Sequence, residues 1–162
     1  MALREISLTL PNRPGALAGV ARTLAKEHIN LAAISVDSVA GTGRVRLIVN
    51  DPDRALGLLE GAGYDPDVRE MIAVRLEDRA GSFLRVLQIL ARERVNVQSV
   101  AILVAREGSL PLVALSTSDL PRARRLIHRA GFAAREAEGL VSNEDLLASA
   151  PSIPTESVAF LL

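Results

Sequence analysis

The sequence predicts an α+β protein made of two consecutive β-α-β-β-α-β units, each an antiparallel sheet with its helices on one face. Three observations carry this prediction. First, an alternating apolar run, a glycine turn and an apolar stripe of helical period occur twice. Ile6, Leu8 and Leu10 lead into Leu17, Val20, Ala21 and Leu24, while Ile72, Val74 and Leu76 lead into Phe83, Val86, Leu87 and Leu90, at an offset of 66. Second, each copy continues into two more strand-like runs and a second helix closed by glycine. Third, no flexible tether separates the copies, so the boundary near Glu70 is tight.

Taken in order, residues 4–10 alternate Ile6, Leu8 and Leu10 inward with Glu5, Ser7 and Thr9 outward, a half-buried strand. Pro11 stops it, and Asn12 is read as the N-cap of a helix over about 15–27, with Pro14 in its first turn. A strand at 31–40, a Gly41-Thr42-Gly43 turn and a strand through Val45, Leu47 and Val49 follow. Asp51-Pro52-Asp53 opens a helix that ends at Gly61-Ala62-Gly63, and a short strand near 67–69 completes the unit. The second unit repeats this with a helix over about 81–94, strands at about 97–106 and 111–117, and a helix from Asp119-Leu120-Pro121 to Ala130-Gly131-Phe132. Two extra residues near Arg106-Glu107-Gly108 raise the offset to 68 in its later elements. Right-handed crossovers turn this order into the ferredoxin-like split β-α-β arrangement. The expected division is a first domain at 1–70, a second at 71–142 and an extension at 143–162, whose apolar end, Ser157 to Leu162, is expected to dock.

Composition narrows the function. The 162 residues are 49% hydrophobic but only 2% aromatic, so the core is built from Leu, Val, Ile and Ala. With 19 basic and 19 acidic residues, no basic excess supports nucleic-acid binding. The absence of cysteine excludes disulfides, thiol catalysis and thiolate metal sites. No secretory signal and no long apolar span are visible, so a soluble, cytoplasmic protein with no membrane role is expected.

The glycine turn carries the functional signal. Asn12-Arg13-Pro14-Gly15-Ala16-Leu17, the strand and helix around it, and the repeated element order resemble the ACT domain over roughly residues 3–140. The family's loop runs Asn or Asp, any residue, Pro, Gly, with an apolar residue two further on, and Asn often follows the first helix, as Asn30 and Asn96 do here. The resemblance implies a small ligand-binding module that regulates amino-acid metabolism, with tandem copies and no cofactor. It further implies a ligand held between two units, pairing Asn12 and Gly15 with Asn96, and Asp78 and Gly81 with Asn30, with Ser82 a further candidate contact. Serine-binding relatives carry His two positions before the loop Asn, where this chain has Leu10 and Leu76, which counts against serine.

The residues agree with that implication. Backbone N–H groups of Gly15, Ala16 and Leu17 at a helix start suit a carboxylate, and the Asn12 side chain can accept from an ammonium. The second loop has Asp78 for Asn and Ala80 for Pro, and a carboxylate there disfavours a second anion, so the first loop is the better site. An alternative reading leaves Asn12 to Gly15 as a plain cap and turn, and Asn30 and Asn96 as left-handed helix ends. His28 and His128 are isolated, and Ser82 has no His and acid arranged with it, so no metal site and no catalytic triad is expected. The expectation is a non-catalytic amino-acid sensor, a homodimer read by a metabolic enzyme or regulator. The alternative is a trans-acting regulatory subunit of an amino-acid biosynthetic enzyme.

Overall fold

The computed structural model describes residues 3–39, 41–77, 79–103 and 112–132. The expected fourth strand of the second unit, the Arg106-Glu107-Gly108 insertion and the extension at 143–162 lie outside the described residues. Within them the order is β1 (Leu3–Pro11), α1 (Ala16–Ala25), β2 (Leu31–Val39), β3 (Thr42–Val49), α2 (Pro52–Gly61), β4 (Asp67–Arg75), α3 (Ser82–Arg92), β5 (Val97–Leu103), β6 (Leu112–Thr117) and α4 (Leu120–Arg129).

The helices form where the sequence places an apolar stripe. Val20 and Leu24 of α1 and Ala55 and Leu59 of α2 pack on Ile6, Leu8, Leu10, Val45, Leu47 and Val49. Val86 and Leu90 of α3 and Ala123 and Ile127 of α4 pack in the same way on Ile72, Val74, Leu76, Val113 and Leu115. The helix starts fall into two kinds. Asp51 and Asp119 cap α2 and α4, accepting from the N–H of Arg54 at 3.1 Å and of Arg122 at 2.9 Å. Helices α1 and α3 have no side-chain cap. Gly15 and Gly81 precede them in the left-handed region at φ 85° and 89°, so the cap position expected at Asn12 belongs to Gly15. The left-handed residues after these helices are His28 and Arg94, at φ 57° and 55°, which corrects the reading of Asn30 and Asn96 as helix ends.

All six strands pair antiparallel in one sheet of order β2-β3-β1-β4-β6-β5. The run near 67–69 and the run at 72–76 are one strand, and Glu70 lies inside it. The first part of β4 pairs with β1, from Leu3↔Met71 to Ser7↔Asp67, and its last part pairs with β6, from Ile72↔Leu115 to Arg75↔Leu112. By strand alternation all four helices lie on the same face. Among the described residues the opposite face has no helix, yet Leu3, Ile48, Met71, Ala73 and Ala114 on it are buried, in a cluster with Ala32, Leu103 and Leu112. Sheet covers sheet here: the edge strands β2 and β5 approach each other, and Ser99 of β5 reaches Glu5 of β1. Glu5, expected to point to solvent, is only 4% exposed because of this curl.

Candidate functional site

The first glycine loop is built by its own half of the chain. After Pro11 the chain turns through Arg13 N–H to Pro11 O at 2.9 Å and Ala16 N–H to Arg13 O at 3.2 Å. Asn12 is tied to the β2–β3 hairpin: its N–H donates to Gly41 O at 3.0 Å, and its Nδ2 donates to Ser38 Oγ at 2.7 Å. That bond uses the donor end of the amide and leaves Oδ1 as an acceptor. Residues 12–15 are exposed, and a Cβ at Gly15 would meet nothing within 4 Å. Among the described residues no acceptor is found for the N–H of Leu17 or Ala18, which point along the positive end of α1. The loop therefore offers open N–H donors at the start of α1 and an amide oxygen fixed through Ser38, with open space where a Cβ at Gly15 would stand.

The second loop has the same backbone and different chemistry. Gly81 is left-handed with open space where a Cβ would stand, whereas Ser82 is buried and its Oγ has no partner among the described residues. Asp78 lies outside the described residues. Asn30 and Asn96 are exposed and act through their backbones. The N–H of Asn30 donates to Asn50 Oδ1 at 3.0 Å and its O accepts from Asn50 N–H at 3.2 Å, while Asn96 makes the matching pair with Ser118 at 3.0 and 2.9 Å. Both side chains stay uncommitted among the described residues, and no hydrogen bond there joins either asparagine to the other half's glycine loop.

One group of residues was not singled out from the sequence. On the helix-free face, a cavity of about 240 Å³ is lined by charged side chains of β1, β3 and β4 and by Asp65, with Arg44 set by the register beside Thr9, four residues along β1 from Glu5, and Ser99 of β5 bonded to Glu5. The only signal was the pairing of charged residues with Ser7 and Thr9 across a strand register that sequence does not reveal. Among the described residues no group of His, Asp and Glu is placed to hold a metal ion.

Comparison with known proteins follows the same division. The ACT domain family model matches residues 4–60, which contain α1, β2, β3, nearly all of β1 and α2, and the first glycine loop. No curated protein matches the chain. Among solved structures, a protein from Bacteroides thetaiotaomicron is similar at 25% identity with a TM-score of 0.76, covering 90% of this chain and 96% of its own. The regulatory subunit of aspartate kinase from Thermus thermophilus, in its ligand-free form, shares the fold at 20% identity and a TM-score of 0.58, over 80% of this chain and 92% of its own. That of Thermus flavus does so at 18% identity and 0.55, over 80% and 93%.

Proposed function

We propose that the chain is a non-catalytic regulatory protein that binds a free amino acid at the Asn12–Leu17 loop. The observation that carries this reading is the left-handed Gly15 at the mouth of an uncapped helix, with open space where any other residue would place a Cβ. A carboxylate bonded to the free N–H groups of α1 would gain hydrogen bonds and the favourable end of the helix dipole. The Asn12 Oδ1, held by Ser38, would accept from the neighbouring ammonium. The match of residues 4–60 to the ACT domain supports an amino-acid ligand and a regulatory role.

In this proposal residues 71–142 are a second ACT unit, and the ligand lies between the two, with Asn96 completing the Asn12–Gly15 site. Gly81, Ser82 and Asn30 form a weaker counterpart with Asp78. A ligand that bridges two units favours the arrangement it bridges, and a partner enzyme reads that change. The chain works in the cytoplasm, as a homodimer. Calorimetric titration of the twenty amino acids tests this reading. One of them is expected to bind the wild-type protein and to lose that binding in Gly15→Leu, which puts a side chain into the open space and strains the turn. Binding that survives in folded Gly15→Leu would move the site away from this loop.

A further inference from the structure

The helix-free face of β1 carries Glu5, Ser7 and Thr9. Strand register sets Arg46 beside Ser7 and Arg44 beside Thr9 on one side, and Arg69 beside Glu5 and Asp67 beside Ser7 on the other. The cavity of about 240 Å³ opens over this lattice, below the size of a pocket for a drug-sized ligand. Some of its charges are answered within the protein. Arg46 donates to Ser35 and pairs with Asp37, and Arg69 lies 3.6 Å from Asp67.

Three charges have no ion pair among the described residues, and of these Asp65 is exposed and stays in water. Glu5 is 4% exposed, and among the described residues its carboxylate takes one hydrogen bond, from Ser99 Oγ at 3.2 Å, and has no cation within ion-pair distance. Ser99 Oγ also sits 2.7 Å from Ser116 Oγ, so it is shared. A buried carboxylate held by one shared hydroxyl is costly to keep unless a cation joins it. Set beside Thr9 by the register, Arg44 is exposed and forms no ion pair among the described residues. A solvated surface would leave both groups in water; here the carboxylate is under β5 and faces the cavity.

We propose that this cavity binds a small linear zwitterion, its cationic end at Glu5 and its carboxylate at Arg44. Four strand residues separate Glu5 from Thr9, the register neighbour of Arg44, a span of roughly 13 Å that the flexible Arg44 side chain shortens. The two charges of the ligand therefore stand several bonds apart, as in the side chain and carboxylate of a basic amino acid, and the lining carboxylates Asp65 and Asp67 can receive its α-ammonium. This site is separate from the Gly15 loop and does not rest on it.

Calorimetric titration with L-lysine and L-arginine tests the assignment on four proteins: wild type, Glu5→Gln, Arg44→Gln and Gly15→Leu. The expected result is saturable one-to-one binding of at least one of the two to wild type. It should weaken at least tenfold in Glu5→Gln and in Arg44→Gln and stay unchanged in Gly15→Leu. Glu5→Gln keeps the size and an acceptor for Ser99, and its melting curve confirms folding; should it not fold, exposed Arg44 carries the test alone. No saturable heat with either amino acid, or binding untouched by both cavity variants, overturns the proposal. Binding lost only in Gly15→Leu also overturns it and assigns those ligands to the loop, which separates the two readings.

Discussion

The α1-β2-β3-α2 and α3-β5-β6-α4 segments repeat their scaffold bonds almost atom for atom and differ on the surfaces that scaffold leaves open. The ion pair Glu27–Arg54 at 2.6 Å returns as Glu93–Arg122 at 2.8 Å, the Asp51 cap returns as Asp119, and left-handed His28 returns as Arg94. The helix-free faces have diverged. Where the first half has Glu5, Ser7, Arg44 and Arg46, the equivalent positions of the second are Met71, Ala73, Leu112 and Ala114. The same backbone surface is polar and open to a cavity in one half and a dry contact in the other. Repeated features thus belong to folding, and the differences lie on the faces that folding leaves open.

The most severe way to break the comparison is to write the first half's residue into the second. Met71→Glu sets a carboxylate into the apolar cluster of Leu3, Ala73 and Leu112. A loss of roughly 3–5 kcal/mol is expected from an unpaired buried charge, read by denaturant unfolding. A loss below about 1 kcal/mol would show that the curl does not seal this face.

A pair of matched cavities sharpens it next. Leu24 of α1 and Leu90 of α3 occupy equivalent core positions and are each 1% exposed. Leu24→Ala and Leu90→Ala should each cost about 3 kcal/mol. Because β4 belongs to both halves, either change should shift a single cooperative transition, seen identically by circular dichroism and calorimetry. A separate early transition in one variant would mean that the halves unfold independently.

Much of this arrangement is legible in the sequence, because element order and the helix-side core are periodic properties. The curl left a weaker mark. Met71-Ile72-Ala73-Val74 and Leu112-Val113-Ala114-Leu115 are apolar on both faces, the pattern of strands buried on both sides, whereas β1 alternates. Glu5 was read as outward because alternation reports which face a residue is on and not what covers that face. Asn12 was legible as a loop residue but not as a hairpin anchor, since its partner Ser38 stands 26 positions away. The left-handed positions went to His28 and Arg94 because the turn closes through Ile29 N–H to Leu24 O and Val95 N–H to Leu90 O, two residues earlier than the asparagines require.

The smallest effect concerns a bond with no counterpart. Arg4 of β1 grips Asp53 of α2 through two bonds of 2.7 Å, and the equivalent positions in the second half are Glu70 and Pro121, which cannot form it. The Arg4 hydrogen bonds hold the Asp53 carboxyl below its usual 3.8, and they raise Arg4 in turn. A carboxyl depressed in the folded state stabilises it at every pH above the unfolded value, and that contribution fades as the pH falls through the folded one. Asp53 is fully solvent-exposed, so water and salt screen the pair and the effect stays small. Asp53→Asn should therefore melt slightly below wild type at pH 7 and low salt. The gap should narrow on adding salt, and close as the pH is taken well below 3.8. A gap that persists in acid would mean that Asp53 acts through packing at the start of α2 and not through its charge, and this bond, absent from the second half, would then carry no electrostatic weight.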